Sequence, residues 1–216
     1  MKILALVGTN RKNGNVGKIC DKILSGARDN GHQTERIYLY DYEIQHCLGC
    51  WQCRTLQKCP QQDDFEDLFE KIKAADAIIL GSPVYWGNIT GKMKTFFDRH
   101  MGYAMHNPED SPDFHKLGIW KKFLRYHSEL RKFGPRDRAL WGKRFILVTA
   151  STLTFPYCYI KNEIPLTFKA MSSYVLRMKG RTIARLAYTD TLFRFRKNKE
   201  TRVLQRAYKL GKRIND

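Results

Sequence analysis

The chain has 216 residues, 43% hydrophobic and 28% charged, a mixture that buries one sizeable core and excludes global disorder. Its longest apolar runs, residues 3–7 and 77–80, fall far short of the roughly 20 needed to span a bilayer, and the N-terminal run is too abrupt for a signal peptide. The net charge of +18 is uneven: residues 1–102 sum to +2 and residues 103–216 to +16, so the expectation is a cytoplasmic protein whose back half carries a strong positive field.

In chain order, residues 2–8 (KILALVG) predict a strand buried on both faces. A polar, glycine-containing loop leads into a helix with Ile19, Ile23, Leu24 and Ala27 on one face, stopped by Asn30-Gly31. Residues 34–40 predict the second strand, and a cysteine-rich loop then runs to about Asp63. Asp63 and Asp64 can cap a helix that turns Phe65, Leu68, Phe69 and Ile72 inward. Residues 77–81 predict a third strand, and 90–99 a helix with Met93, Phe96 and Phe97 inward. Residues 103–142 break this rhythm. Beyond them, residues 144–150 predict a fourth strand, 163–178 a helix, 182–188 a fifth strand and 199–214 a basic terminal helix. Strands alternating with helices predict an α/β fold with a parallel sheet. The expectation is a single flavodoxin-like, doubly wound domain over 1–216, of strand order 2-1-3-4-5, with 103–142 as a basic, partly helical insertion. Such a sheet takes its ligand at the carboxyl ends of strands one and three.

Three loops carry candidate chemistry. After strand one, GTNRKNGNVGK offers backbone N–H groups at a helix start, with Thr9, Arg11 and Asn15 available to phosphate oxygens. It is neither a P-loop, since Ile19 follows Gly17-Lys18, nor a G-x-G-x-x-G fingerprint; a plain connecting loop is the competing reading. After strand three, Pro83-Val84-Tyr85-Trp86-Gly87-Asn88 combines two aromatics, a glycine and an amide. A flat heteroaromatic ring can stack there, unless Tyr85 and Trp86 merely cover the sheet. Between them, Cys47, Cys50, Cys53 and Cys59 are spaced C-x2-C-x2-C-x5-C, with Pro60 next. Three thiolates at i, i+3 and i+6 can wrap one cubane and a fourth after a short excursion can complete it; bacterial ferredoxins use a similar run, though there the fourth cysteine serves the other cluster. Zinc, a metal-free loop and a disulfide pair stand as alternatives. Cys20 and Cys158 have no partner spacing and read as buried apolar residues.

Together, GTNRKNGNVGK, CLGCWQC and GSPVYWGNITGKMKTFFDR resemble the NADPH-dependent FMN reductase superfamily, and within it the iron–sulfur flavoproteins. The likeness covers about residues 1–102 and the strand near residue 147. It implies that Thr9, Arg11, Asn15, Val16 and Gly17 hold the FMN phosphate. It implies that Pro83, Val84, Tyr85, Trp86, Gly87 and Asn88 line the isoalloxazine, and that Thr149, Ala150 and Ser151 close the other side. Val16 departs from the Ser or Thr usual at its position, leaving more of the binding to backbone N–H groups. The same likeness makes Cys47, Cys50, Cys53 and Cys59 the ligands of a [4Fe–4S] cluster. It further implies a homo-oligomer, dimer or tetramer, with the cluster of one subunit near the flavin of another. An FMN-dependent oxidoreductase fed by NAD(P)H or ferredoxin follows, with a cluster-free flavin or quinone reductase as the alternative. No side chain need act as acid or base, so no catalytic residue is nominated.

The basic half is where the likeness is weakest. Residues 116–144 hold ten Lys/Arg and two acids, and residues 194–213 hold nine and one. Leu117, Trp120, Phe123, Leu124, Leu130 and Phe133 recur at roughly helical spacing among Lys121, Lys122, Arg125, Arg131 and Lys132, an amphipathic basic helix. Such a helix is compatible with a membrane interface, a partner surface or a lid over the flavin, with plain packing on the domain and a solvated basic face as the competing reading. Docking an acidic carrier such as ferredoxin is the economical use of that charge. Nucleic acid rests on charge alone; the reading of another class is a flavodoxin-like binding module whose basic half holds a polyanion or an anionic membrane surface, without turnover.

Overall fold

The structure, a computed structural model, describes residues 1–56, 58–104, 113–131, 135, 137–191 and 197–214. Five strands, β1 (Lys2–Val7), β2 (Gln33–Tyr38), β3 (Ala77–Pro83), β4 (Arg144–Ala150) and β5 (Arg181–Tyr188), form one sheet. All its pairings are parallel and the order is β2-β1-β3-β4-β5, as expected. Val7 lies opposite Tyr38 and Gly81, and Ser82 and Pro83 lie opposite Thr149 and Ala150, so the strands' carboxyl ends form a common rim.

The helices are α1 (Asn15–Arg28), α2 (Gln52–Leu56), α3 (Phe65–Ala74), α4 (Gly91–Arg99), α5 (Met101–Ala104), α6 (Ile119–Arg131), α7 (Tyr157–Ile160), α8 (Glu163–Arg177) and α9 (Lys197–Lys212). Strand side chains alternate between two cores. Leu4, Leu6, Leu80 and Leu147 join Phe65, Leu68, Met93, Phe96 and Met171 of α3, α4 and α8. Ile3, Ala5, Val7, Ile79 and Val148 join Ile19 and Ile23 of α1 and Ala207 of α9. A sheet covered on both faces has no polar face, which is why β1 and β3 read as unbroken apolar runs. Cys20 and Cys158 are fully buried, as expected.

Several boundaries shift. β2 ends at Tyr38 because Leu39–Asp41 tighten into a 3-10 turn that buries Leu39. β3 runs on to Pro83 because β4 continues to pair with it. Of the two expected capping residues, Asp63 accepts the Phe65 N–H at 3.1 Å, whereas Asp64 turns back to the Glu43 N–H at 2.6 Å. Phe97 is only half-buried, stacked on Tyr174 with ring centroids 4.0 Å apart. Within residues 103–142, Trp120, Phe123 and Leu124 of α6 are exposed, while the side chains of Leu130 and Phe133 lie outside the described residues.

His100, just after α4, sits among the rings of Phe65, Phe69, Phe96 and Tyr174. Its Nδ1 donates to the Phe96 carbonyl at 2.7 Å, and its buried Nε2 has no partner. Burial, with the adjacent Arg99 charge adding, pushes its pKa down to about 4 from about 6.5 in the unfolded chain. The neutral ring therefore confers stability that is whole above about pH 6.5 and is lost as pH falls toward 4, roughly 3 kcal/mol in all. Urea midpoints measured between pH 7 and pH 4 are expected to fall more steeply in the wild type than in His100→Leu.

Candidate functional site

Four loops meet at the carboxyl rim. In the first, the Gly8 N–H donates to the Gly81 carbonyl at 2.7 Å, and the Thr90 hydroxyl donates to the Gly8 carbonyl at 2.7 Å. A Cβ on Gly8 would come within 2.9 Å of that hydroxyl, so the loop and the start of α4 are pressed together. Thr9 Oγ1 accepts the Arg11 N–H at 3.2 Å, and the Gly14 N–H donates to the Arg11 carbonyl at 3.0 Å. Gly14 then caps α1 without a side-chain hydrogen bond, and no acid occupies the helix's first turn. The amides of Asn15, Val16 and Gly17 are thus left to an incoming anion, as the dipole favours. Arg11 is exposed beside them, while Lys12 is held by Asp41 at 2.9 Å.

The departure at Val16 has a structural reason. Val16 is buried, and a Cβ on Gly81 would meet Val16 Cγ1 at 2.9 Å. The side chain of residue 16 therefore packs into the sheet, and only its amide faces the loop's business. Gly17 is equally constrained: a Cβ there would lie 2.7 Å from the Tyr38 hydroxyl, which itself donates to the Lys12 carbonyl at 2.5 Å.

The loop after β3 is a tight hairpin. The Tyr85 N–H donates to the Asn88 carbonyl at 2.8 Å, and the Asn88 N–H returns to Tyr85 at 3.1 Å. Trp86 and Gly87 fill the turn with φ of 50° and 72°. Two consecutive positive φ angles define the hairpin turn whose second place suits glycine. This turn lifts both aromatics off the sheet: Trp86 is fully solvent-exposed and Tyr85 about half, so they do not cover the core. The Val84 N–H donates to the Ala150 carbonyl at 2.9 Å, tying this loop to the end of β4. There, Thr149 Oγ1 is buried without a partner. Ser151 is already engaged, donating to Glu163 at 2.7 Å and accepting the Leu153 N–H at 3.1 Å.

The cysteine loop follows β2 at the same rim. Cys47 and Cys50 are exposed, Cys53 and Cys59 half-buried, and all four thiols are free. Burial raises the Cys53 pKa, and the nearby Cys59, Cys47 and Cys50 raise it further. Cys53 Sγ covers Gly102, where an added Cβ would meet it at 1.9 Å. The Cys59 N–H is shared by Glu66 Oε1 at 2.9 Å and the Tyr103 hydroxyl at 2.7 Å. Among the described residues, no three His, Cys, Asp or Glu side chains are arranged to hold a metal. The donor set suits iron and sulfide in kind; its closure around a metal is a further step.

Sequence reasoning missed what supports this loop. Arg99 and Asp63 form a buried ion pair, with Arg99 Nη2 donating to Asp63 Oδ1 at 3.0 Å and Nη1 to Oδ2. Arg99 Nη1 also reaches the Gln45 carbonyl at 3.0 Å, and the Gln45 N–H donates to Asp63 Oδ2 at 2.9 Å. His46 Nδ1 lies 2.9 Å from the Thr95 hydroxyl. Nothing in the spacing of Asp63 and Arg99 signals their pairing. Thr90 had a readable sign, a hydroxyl directly before a helix, and it does cap α4 through the Met93 N–H at 3.4 Å.

Over 108 residues the chain is 38% identical to an iron–sulfur flavoprotein of Archaeoglobus fulgidus, covering 50% of this chain and 49% of that one. Over 99 residues it is 37% identical to an iron–sulfur flavoprotein of Methanosarcina thermophila, covering 46% and 52%. The matched region thus spans about half the length of these curated relatives. In fold it is similar to an NAD(P)H:quinone oxidoreductase from Methanothermobacter marburgensis, with a TM-score of 0.71 at 16% identity, over 100% of this chain and 98% of that one. Residues 1–110, which carry β1 to β3 and the first three rim loops, match the model of the NADPH-dependent FMN reductase family, and the chain belongs to that family.

Proposed function

We propose that this chain is an FMN-dependent oxidoreductase, taking electrons from NAD(P)H or an acidic carrier such as ferredoxin and passing them to a small acceptor. The observation that carries this reading is the start of α1, without a side-chain cap or an acid in its first turn, on the same rim as the exposed Tyr85–Trp86 hairpin. FMN supplies hydride and single-electron chemistry when bound. The amides of Asn15, Val16 and Gly17, with Thr9 and Arg11, would hold its phosphate. Residues 83–88 would flank its ring, and the partnerless Thr149 hydroxyl with Ala150 and Ser151 would border the far side. Arg11→Ala is expected to weaken FMN binding about 10- to 100-fold, the worth of a hydrogen bond to a charged group, with folding unchanged. Fluorescence titration of the apoprotein with FMN measures it.

The same proposal gives Cys47, Cys50, Cys53 and Cys59 to a [4Fe–4S] cluster, supported by their thiolate chemistry, their shared loop and the names of the relatives. A cluster-free reductase is the second reading, supported by the match of residues 1–110 to the NADPH-dependent FMN reductase family. Anaerobic purification with flavin, iron and sulfide analysis separates the two. The expected result is FMN with about four iron and four sulfide per chain, and absorbance near ~400 nm in excess of the flavin's own, which Cys50→Ala removes while the flavin bands remain. FMN without iron selects the second reading. Colourless protein that takes up no added FMN defeats both.

A homo-oligomer is part of this proposal. Leu166 and Leu176 are exposed on α8, and a largely apolar groove of about 250 Å³ lies between α4 and α8, lined in part by Phe97, Ala170 and Met178. Light scattering of the FMN-loaded protein is the direct measurement.

A further inference from the structure

An amphipathic helix on a water-soluble domain turns its apolar arc toward the core. Helix α6 (Ile119–Arg131) does the reverse. Ile119, Trp120, Phe123 and Leu124 fall within an arc of about 140° at 100° per residue, and they are 81%, 75%, 54% and 65% exposed. Trp120 and Phe123 meet edge to face at 6.4 Å, and His127 closes the row against Phe123 at 4.5 Å, so the outward face is a continuous apolar surface. The opposite flank is basic. Lys122 and Arg125 are half-buried on the protein side, with Lys122 Nζ 5.9 Å over the ring of buried Phe114. Lys121 stands exposed beside the apolar arc, and Lys116 precedes the helix.

We propose that α6 is a docking helix that lies in the surface of an anionic lipid bilayer, with Ile119, Trp120, Phe123 and Leu124 entering the acyl boundary. Two arguments select this occupant. The first is charge complementarity. The segment 116–144 carries ten basic and two acidic residues within a half of net charge +16. That field is drawn to anionic headgroups and repels a second copy of the same face. The second is the chemistry of the exposed side chains. Ile119 and Leu124 need hydrocarbon, which a nucleic acid does not offer, while the tryptophan and the flanking lysine suit the headgroup boundary. Among the described residues no helix is long and apolar enough to cross a membrane, so the helix lies on the bilayer rather than through it. This inference stands apart from the redox proposal and survives its failure.

The test uses the full chain, FMN-loaded where FMN binds, in flotation with phosphatidylcholine vesicles, with and without about one-third phosphatidylserine. Partition to the anionic vesicles is expected, falling as salt is raised, with a blue shift in tryptophan emission that Trp120→Ser removes. Phe123→Asp is expected to reduce partition at least about tenfold, and Lys121→Glu by about fivefold or more. Both side chains are exposed, so melting temperatures are expected to stay within a degree or two. Wild-type protein that ignores anionic vesicles overturns the proposal, as does Phe123→Asp that partitions like wild type. So does a Phe123→Asp variant whose only change is a smaller mass by light scattering, which would give the face to a second copy.

Discussion

Asp63→Ala is expected to lower the unfolding free energy by about 3–5 kcal/mol and to loosen the cysteine loop at the same time. Removing one partner of a buried ion pair strands the other charge without solvent, and that cost exceeds the value of the pair itself. Here the stranded group is Arg99, whose guanidinium lies over the ring of Phe65 at 4.6 Å, with its Nε buried and unpartnered. Asp63 also accepts the N–H groups of Gln45 and Phe65, so the variant releases the entry to the cysteine loop and the start of α3 together. Urea unfolding measures the energy, and faster proteolysis between residues 46 and 62 reports the loop. The double variant Asp63→Leu/Arg99→Met is expected to recover most of the loss, because it removes both charges. Although burial alone would raise the Asp63 pKa, the Arg99 hydrogen bonds and the two backbone N–H donors hold it below the usual carboxylate value. Its contribution is therefore whole above about pH 4 and disappears as acid takes the pH down through that lowered pKa.

Gly26→Leu is expected to cost roughly 3 kcal/mol and to detach α9. Helices α1 and α9 touch backbone to backbone. A Cβ on Gly26 would lie 2.1 Å from the Tyr208 carbonyl oxygen, and one on Gly211 would lie 2.0 Å from that of Ile23. Backbone cannot yield as a side chain can, so any larger residue drives the helices apart and exposes Ile23, Ala27 and Ala207, all fully buried now. In a chain of this length the melting temperature is expected to drop by about 6–12 °C. Early proteolytic loss of α9 would accompany it.

These two sites show where reading the chain succeeds and where it stops. Periodicity revealed β1, β3 and β4, since strands buried on both faces write themselves as uninterrupted apolar runs, and the alternation with helices placed the more polar edge strands β2 and β5. It also ordered the sheet, because alternating strands and helices have few allowed windings. The three rim loops were legible for the same reason: topology alone brings the ends of adjacent parallel strands together. Local boundaries were less so. Nothing in residues 34–40 says that Leu39 would leave the ladder to bury itself in a 3-10 turn.

What the amino-acid order determined by itself is thus the α/β class, the rim, the four thiols and the imbalance of charge, each a local or additive property. The tertiary structure decided the rest. It put Asp63 against Arg99, 36 residues apart in the chain. It packed the Val16 side chain onto Gly81, so that only the amide of residue 16 faces the loop, and it raised Trp86 wholly into solvent. It also turned the apolar arc of α6 outward, which the pattern of α6 could not disclose. A helical wheel fixes which residues share a face, but only the surrounding chain determines which way that face looks.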